Sequence, residues 1–151
     1  MVGNRKGPEG RFAKELADWF KKYRIDYYPI ESEVTPGIPD AYLCTKKTNA
    51  YGKAHWMEIK CAYYKDTIAD LSGFTLKQRE FLLSQPANVG SFLVVELVNP
   101  AKPSKVAVFG RKNLPPAGDS KFRVIPEDCL VFYYAKNSMF DSDARGLLDR
   151  T

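Results

Sequence analysis

The 151-residue chain carries 23 Lys and Arg against 18 Asp and Glu, a formal charge of +5, and its pI is about 9.0. Its 44% hydrophobic and 27% charged content is that of a soluble globular protein able to bury a real core. It excludes a membrane-spanning helix, since no apolar run reaches the ~18 residues required, and the basic excess favours a polyanionic partner, most simply nucleic acid.

In chain order, Phe12, Leu16, Trp19, Phe20 and Tyr23 recur at helical spacing and predict a helix over 9–23, with Pro8 suited to its start. A strand is expected over 26–33, where Pro29 argues for an edge or a bulge. The breaker-rich stretch Pro36-Gly37-Ile38-Pro39 leads into a second strand over 40–45, and a polar loop over 46–54 returns the chain to a third, over 55–61. Residues 64–73 read as a loop with weak helical character. Thr75, with Gln78 three residues on, fits a capping box opening a second helix that Pro86 closes. Strands follow over 91–98 and 105–110, then a Pro/Gly loop, an apolar segment over 129–135 that suits a strand or a short helix, and an amphipathic piece over 144–148. The order is α-β-β-β-α-β-β in one domain, with a core over about 9–110 and a C-terminal extension over about 111–151. There is no linker, repeat or low-complexity tract.

Cys44, Cys61 and Cys129 form no CxxC pair and read as free thiols of a reducing compartment. The basic N-terminus lacks the apolar stretch of a signal peptide. Both observations point to the cytoplasm.

Asp40 stands at the mouth of the second strand, and Glu58 and Lys60 lie in the third. Residues i and i+2 of a strand share a face, so Trp56, Glu58 and Lys60 point one way and Met57, Ile59 and Cys61 the other. If these strands pair as a hairpin, Asp40 approaches Glu58 at one end of the sheet. Carboxylates about 5 Å apart repel by roughly 3 kcal/mol at an effective dielectric of 20, which a cation between them relieves. Mg²⁺ or Mn²⁺ prefers such oxygens, and the Ile59 backbone carbonyl offers another. Lys60 then serves to orient or deprotonate a water, or to neutralise a phosphate, as in a phosphodiester hydrolase.

Gly37-Ile38-Pro39-Asp40 followed by Trp56-Met57-Glu58-Ile59-Lys60 resembles the motif of the PD-(D/E)xK nucleases, and the αβββαβ order resembles their restriction-endonuclease-like α/β core. The resemblance spans about residues 9–98. The GIPD turn, the EIK strand and the TLKQREFLL helix look most like the VRR-NUC and phage Holliday-junction-resolvase-like branch. It implies that Asp40, Glu58 and Lys60 form a Mg²⁺ or Mn²⁺ site, with a further carboxylate from the first helix. Glu9 is preferred there because it shares a face with Phe12, Ala13 and Leu16; Glu15 is the alternative. Gln78 matches a recurring Gln and either holds water or phosphate or simply caps its helix. The resemblance further implies a phage or mobile-element origin, hence the host cytoplasm, and a symmetric dimer, for which residues 131–134 offer an apolar surface or plain core.

Asp119-Ser120-Lys121 repeats the acid-x-Lys pattern without strand context or an upstream Pro-Asp. His55 is the lone histidine, which disfavours zinc and Ser-His-Asp chemistry and leaves it as a strand residue near DNA or near the surface. No Gly-rich phosphate loop is present. For holding DNA, the first 24 residues place seven cations against three acids. Arg5, Lys6, Arg11 and Lys14 in that segment, with Lys46, Lys47 and Lys53 in the loop, are the candidate phosphate contacts. Tyr63, Tyr64 and Lys65 would stack, contact phosphate or pack. The expected protein is a Mg²⁺-dependent endonuclease on branched DNA. The alternatives are a related nuclease on nicked, flapped or plain duplex, and a non-catalytic binder on the same fold.

Overall fold

The computed structural model describes residues 7–30, 37–45, 52–118 and 121–151. The first helix, α1 (Gly7–Lys22), forms because Phe12, Leu16, Trp19 and Phe20 make one apolar stripe, and all four are buried. Glu9 in its first turn and Lys21 and Lys22 in its last complement the helix dipole. It stops at Arg24, whose φ of 61° is left-handed. There Arg24 N–H donates to Lys21 O and Ile25 N–H to Phe20 O, closing the helix end.

The strands are β1 (Asp26–Pro29), β2 (Ala41–Cys44), β3 (Ala54–Lys65), β4 (Ile68–Asp70), β5 (Gly90–Asn99), β6 (Lys102–Gly110), β7 (Lys121–Arg123) and β8 (Val131–Tyr133). The main path runs β1-β2-β3-β5-β6-β8, and β4 bridges β3 to β7. Helix α2 (Leu76–Ser84) lies between β4 and β5 in sequence, and the short helices α3 (Lys136–Phe140) and α4 (Ala144–Leu148) end the chain. Among the described residues, β3 and β5 pair in parallel and the other pairings are antiparallel. Such a parallel pair needs a crossover, and β4 and α2 supply it. Pro29 sits in the edge strand β1, as its missing N–H requires.

Two cores sandwich the sheet. On the α1 side Phe12, Leu16 and Phe20 pack with Leu43, Met57, Ile59, Phe92 and Val94. On the α2 side Phe74 and Leu82 pack with Ala62, Leu93, Val95, Leu97 and Phe109. Strand β5 contributes to both and is buried over most of its length. Each such side chain contributes about 1.5–3 kcal/mol on burial.

One expectation is corrected: residues 64–73 are not a loop of weak helical character. Strand β3 runs on to Lys65, Asp66 and Thr67 turn at φ 51° and 65°, and β4 returns antiparallel. Two successive left-handed residues are what a tight hairpin needs, and the absence of glycine there hid it. The C-terminal extension over about 111–151 joins the core: β8 pairs with β6, and Met139, Ala144, Leu147 and Leu148 complete the α1-side core. Among the described residues, no helix is long and apolar enough to cross a membrane.

Candidate functional site

The hairpin of β2 and β3 pairs Ala41 with Met57 and Tyr42 with Trp56. Extending that register by one residue sets Asp40 across from Glu58. Asp40 is held there by its own side chain, whose Oδ2 accepts the Ile59 N–H at 2.8 Å. Its carbonyl accepts from Ile30 N–H at 2.8 Å, tying the same point to the end of β1. Strand alternation follows the expected pattern: Met57 and Ile59 enter the α1-side core, while Trp56 packs on the α2 side.

Glu58 is 1% exposed. Its Oε1 lies 4.0 Å from Lys60 Nζ, and the Lys60 side chain is 12% exposed. A carboxylate so deeply buried requires positive charge nearby, and Lys60 supplies some of it. Gly73 lies beside Lys60, where a Cβ would make ordinary contact with the ammonium at 3.9 Å.

The turn before Asp40 is fixed from below. Gly37 has φ +91°, and a Cβ there would meet Lys77 Cβ and the Lys77 carbonyl oxygen at 2.9 Å each. Glycine thus provides both the left-handed angle and a close approach to the first turn of α2. That turn is itself secured by the expected capping box. Gln78 N–H donates to Thr75 Oγ1, and Thr75 N–H donates to Gln78 Oε1 at 2.9 Å. Gln78 is therefore engaged as a cap through its amide oxygen. At the other end of the helix, Ser91 Oγ donates to Leu82 O at 2.7 Å.

Among the described residues, no group of three His, Cys, Asp or Glu side chains gathers that could hold a metal. The Glu9 charge is among those that raise the pKa of the Cys61 thiol, which packs against the α1-side core. Glu15 is paired with Lys136 at 3.0 Å. Two carboxylates with neighbouring backbone oxygens still suit a hard divalent ion, since Mg²⁺ is usually held by one or two carboxylates together with substrate phosphate.

The basic candidates separate. Arg11 and Lys14 are exposed on α1, so they lie beyond the opposite face of the sheet from the α2 side. Lys53 is exposed and its ammonium donates to the Thr151 carbonyl. Arg5, Lys6, Lys46 and Lys47 lie outside the described residues, as do Asp119 and Ser120 of the second acid-x-Lys triplet. Tyr63 is 55% exposed, whereas Tyr64 packs against the α2-side core.

His55 is not near the surface but 1% exposed. Its Nδ1 sits 2.6 Å from Thr151 Oγ1. Burial, reinforced by Lys53 and opposed by Asp149, lowers its pKa to about 4. No spacing in the chain announces the cluster on the α1 side, where buried Glu96 accepts from Lys136 Nζ at 2.8 Å and from Cys61 Sγ at 3.4 Å. Burial and the Glu96 charge push the Cys61 thiol far above the ordinary thiol range.

The mixed sheet, with β3 and β5 parallel among the described strands, helices on both faces and the β3–β4–α2–β5 crossover, defines a mixed α/β fold. One solved structure with a similar fold is Hjc of Archaeoglobus fulgidus, a Holliday junction resolvase from an archaeal hyperthermophile. The TM-score is 0.53 at 11% identity, over 90% of this chain and 98% of that one. At that identity the likeness shows the fold. No protein-family model matches the chain, and no curated protein matches it.

Proposed function

We propose that this protein is a divalent-metal-dependent DNA endonuclease acting on branched DNA. The observation that carries the reading is the opposition of Asp40 and Glu58 beside Lys60 at one end of the β2–β3 hairpin. The fold shared with a Holliday junction resolvase and the basic net charge support the substrate class.

Asp40 and Glu58 would hold the ion, with the Ile59 carbonyl as a further oxygen. The ion, when bound, supplies Lewis acidity toward a phosphoryl oxygen. Asp40 is kept in position by the Ile59 N–H, so its carboxylate does not have to be ordered when substrate arrives. Lys60 carries its charge on a mostly covered side chain, where it counters negative charge developing on the phosphate more strongly than an exposed lysine would. Its Nζ also stands ready to orient an attacking water. A pairing of two such chains would cut both strands of a junction.

The test is cleavage of end-labelled four-way junction, flap and plain duplex in Mg²⁺, in Mn²⁺ and in EDTA. Metal-dependent cutting that favours the junction is expected. Cutting of plain duplex alone would remove the branched-substrate reading, and intact DNA under every condition, with tight binding in EDTA, would make the protein a non-catalytic binder.

A further inference from the structure

Next to the carboxylates lies a row of aromatic rings that the metal chemistry does not use. Tyr28, Tyr42 and Trp56 are directly paired neighbours across β1, β2 and β3. Paired residues point to the same face, so the three rings stand side by side on the α2 side of the sheet. Phe81 of α2 continues the row. Ring centroids are 6.1 Å apart for Tyr28–Tyr42, 5.1 Å for Tyr42–Trp56 and 5.2 Å for Trp56–Phe81. The Asp40–Glu58 pair is the next row on that face, two residues along each strand, a spacing of roughly 6.8 Å.

The row is not sealed. Tyr28 is 51% exposed, and Tyr42, Trp56 and Phe81 are each only half-buried. It ends at the edge strand β1. Its rings meet at 41°, 65° and 82°, edge toward face rather than flat on one another, so each pair covers a face of one ring only. At the helix end Lys77 lies one turn before Phe81 on the same stripe, exposed and against Gly37 of the turn that carries Asp40. A ladder of part-exposed aromatic rings, flanked by a cation and adjoining a candidate phosphate-cutting site, matches a strand whose bases are unstacked from their partners. Aromatic platforms bind such bases regardless of sequence, because every base offers a π-face.

We infer that the Tyr28–Tyr42–Trp56–Phe81 row is a stacking platform for unpaired bases beside the scissile phosphate, so that the substrate is DNA with a locally open strand. The inference rests on the reading of Asp40 and Glu58 as the cutting site. A protein partner or a second copy fits less well, because a body covering the row would also crowd the approach to the carboxylates beside it.

The test is binding, by fluorescence anisotropy in EDTA so that nothing is cut. The probes are a flush duplex, the same duplex with a short unpaired tail, and the same tail built from abasic sites. The tail with bases is expected to bind about 5-fold or more tighter than the abasic tail. It should also quench Trp56 fluorescence more than Trp19 accounts for. Tyr28→Ala, at an exposed position, and Tyr42→Leu should each pull the ratio toward one. Equal binding of the two tails by the parent protein would overturn the inference, as would a ratio that survives both substitutions. So would a sedimentation measurement in which Tyr28→Ala turns a dimer into a monomer, which would make the row a self-association face. Because no cleavage is read, a protein that never cuts DNA yet prefers the tail with bases would refute the nuclease reading and leave the platform standing.

Discussion

Gly37→Ala should separate the geometry of the site from the stability of the fold. At φ +91° an alanine is strained by about 1–2 kcal/mol, the left-handed cost for a residue with a Cβ. The new methyl would also lie 2.9 Å from the Lys77 carbonyl oxygen and 2.9 Å from Lys77 Cβ, closer than real contacts allow. Since one of those atoms is helix backbone, the turn must back away from α2. Strain and contact together put the loss at about 2–3 kcal/mol, a fall in Tm of about 5–10 °C for a chain of this size. That is a minority of the 5–15 kcal/mol typical of a domain, so the variant stays folded. Its turn, however, no longer presents Asp40 to the Ile59 N–H. A displacement of about 1 Å at a reacting centre can cost about 10²-fold in rate, and a loss of at least 10-fold is expected here. Gly118→Ala is the control. It has φ +84° but nothing within 4 Å of its Cβ, so it carries the strain without the contact. Urea denaturation and initial cleavage rates of the three proteins are the assays. The reasoning is refuted if Gly37→Ala matches Gly118→Ala in both stability and rate.

Other outcomes follow from the same coordinates. Lys60→Met should lower the cleavage rate by about 10²-fold or more while Mn²⁺ binding persists, a split that titration and kinetics read together. Lys136→Met leaves Glu96 buried without its 2.8 Å partner and should cost about 2–3 kcal/mol by denaturation, with Glu96→Gln added to it recovering part of that loss. Stability should also respond to acid through His55. Its folded pKa of about 4 lies below the unfolded 6.5, so the unfolded chain takes up the proton first. The contribution is whole above about pH 6.5 and declines as pH falls toward 4. It is worth roughly 3.4 kcal/mol at most, and the acid slope of Tm should flatten in His55→Asn.

Where local pattern decides structure, the sequence was readable. The α1 stripe, the Thr75–Gln78 capping box, the edge position of Pro29 and the opposition of Asp40 and Glu58 all follow from periodicity, capping chemistry and strand alternation. What escaped depends on partners far along the chain. Strands β4, β7 and β8 are three residues each and exist because neighbours complete their ladders. The contact of Gly37 with Lys77, the burial of His55 beneath Thr151 and the bridging of Glu15 and Glu96 by Lys136 join segments tens of residues apart, and no spacing rule announces them. The face argument for α1 holds in that the stripe of Phe12, Leu16 and Phe20 packs toward the sheet.

The central claim is that Asp40 and Glu58 together hold one divalent ion. Calorimetric titration of Mn²⁺ into the parent protein, Asp40→Asn and Glu58→Gln tests it without reference to any substrate. One binding event in the parent, lost or strongly weakened in each variant while both remain folded, is the predicted result. Equal Mn²⁺ binding by all three proteins, or none by the parent, would contradict the account.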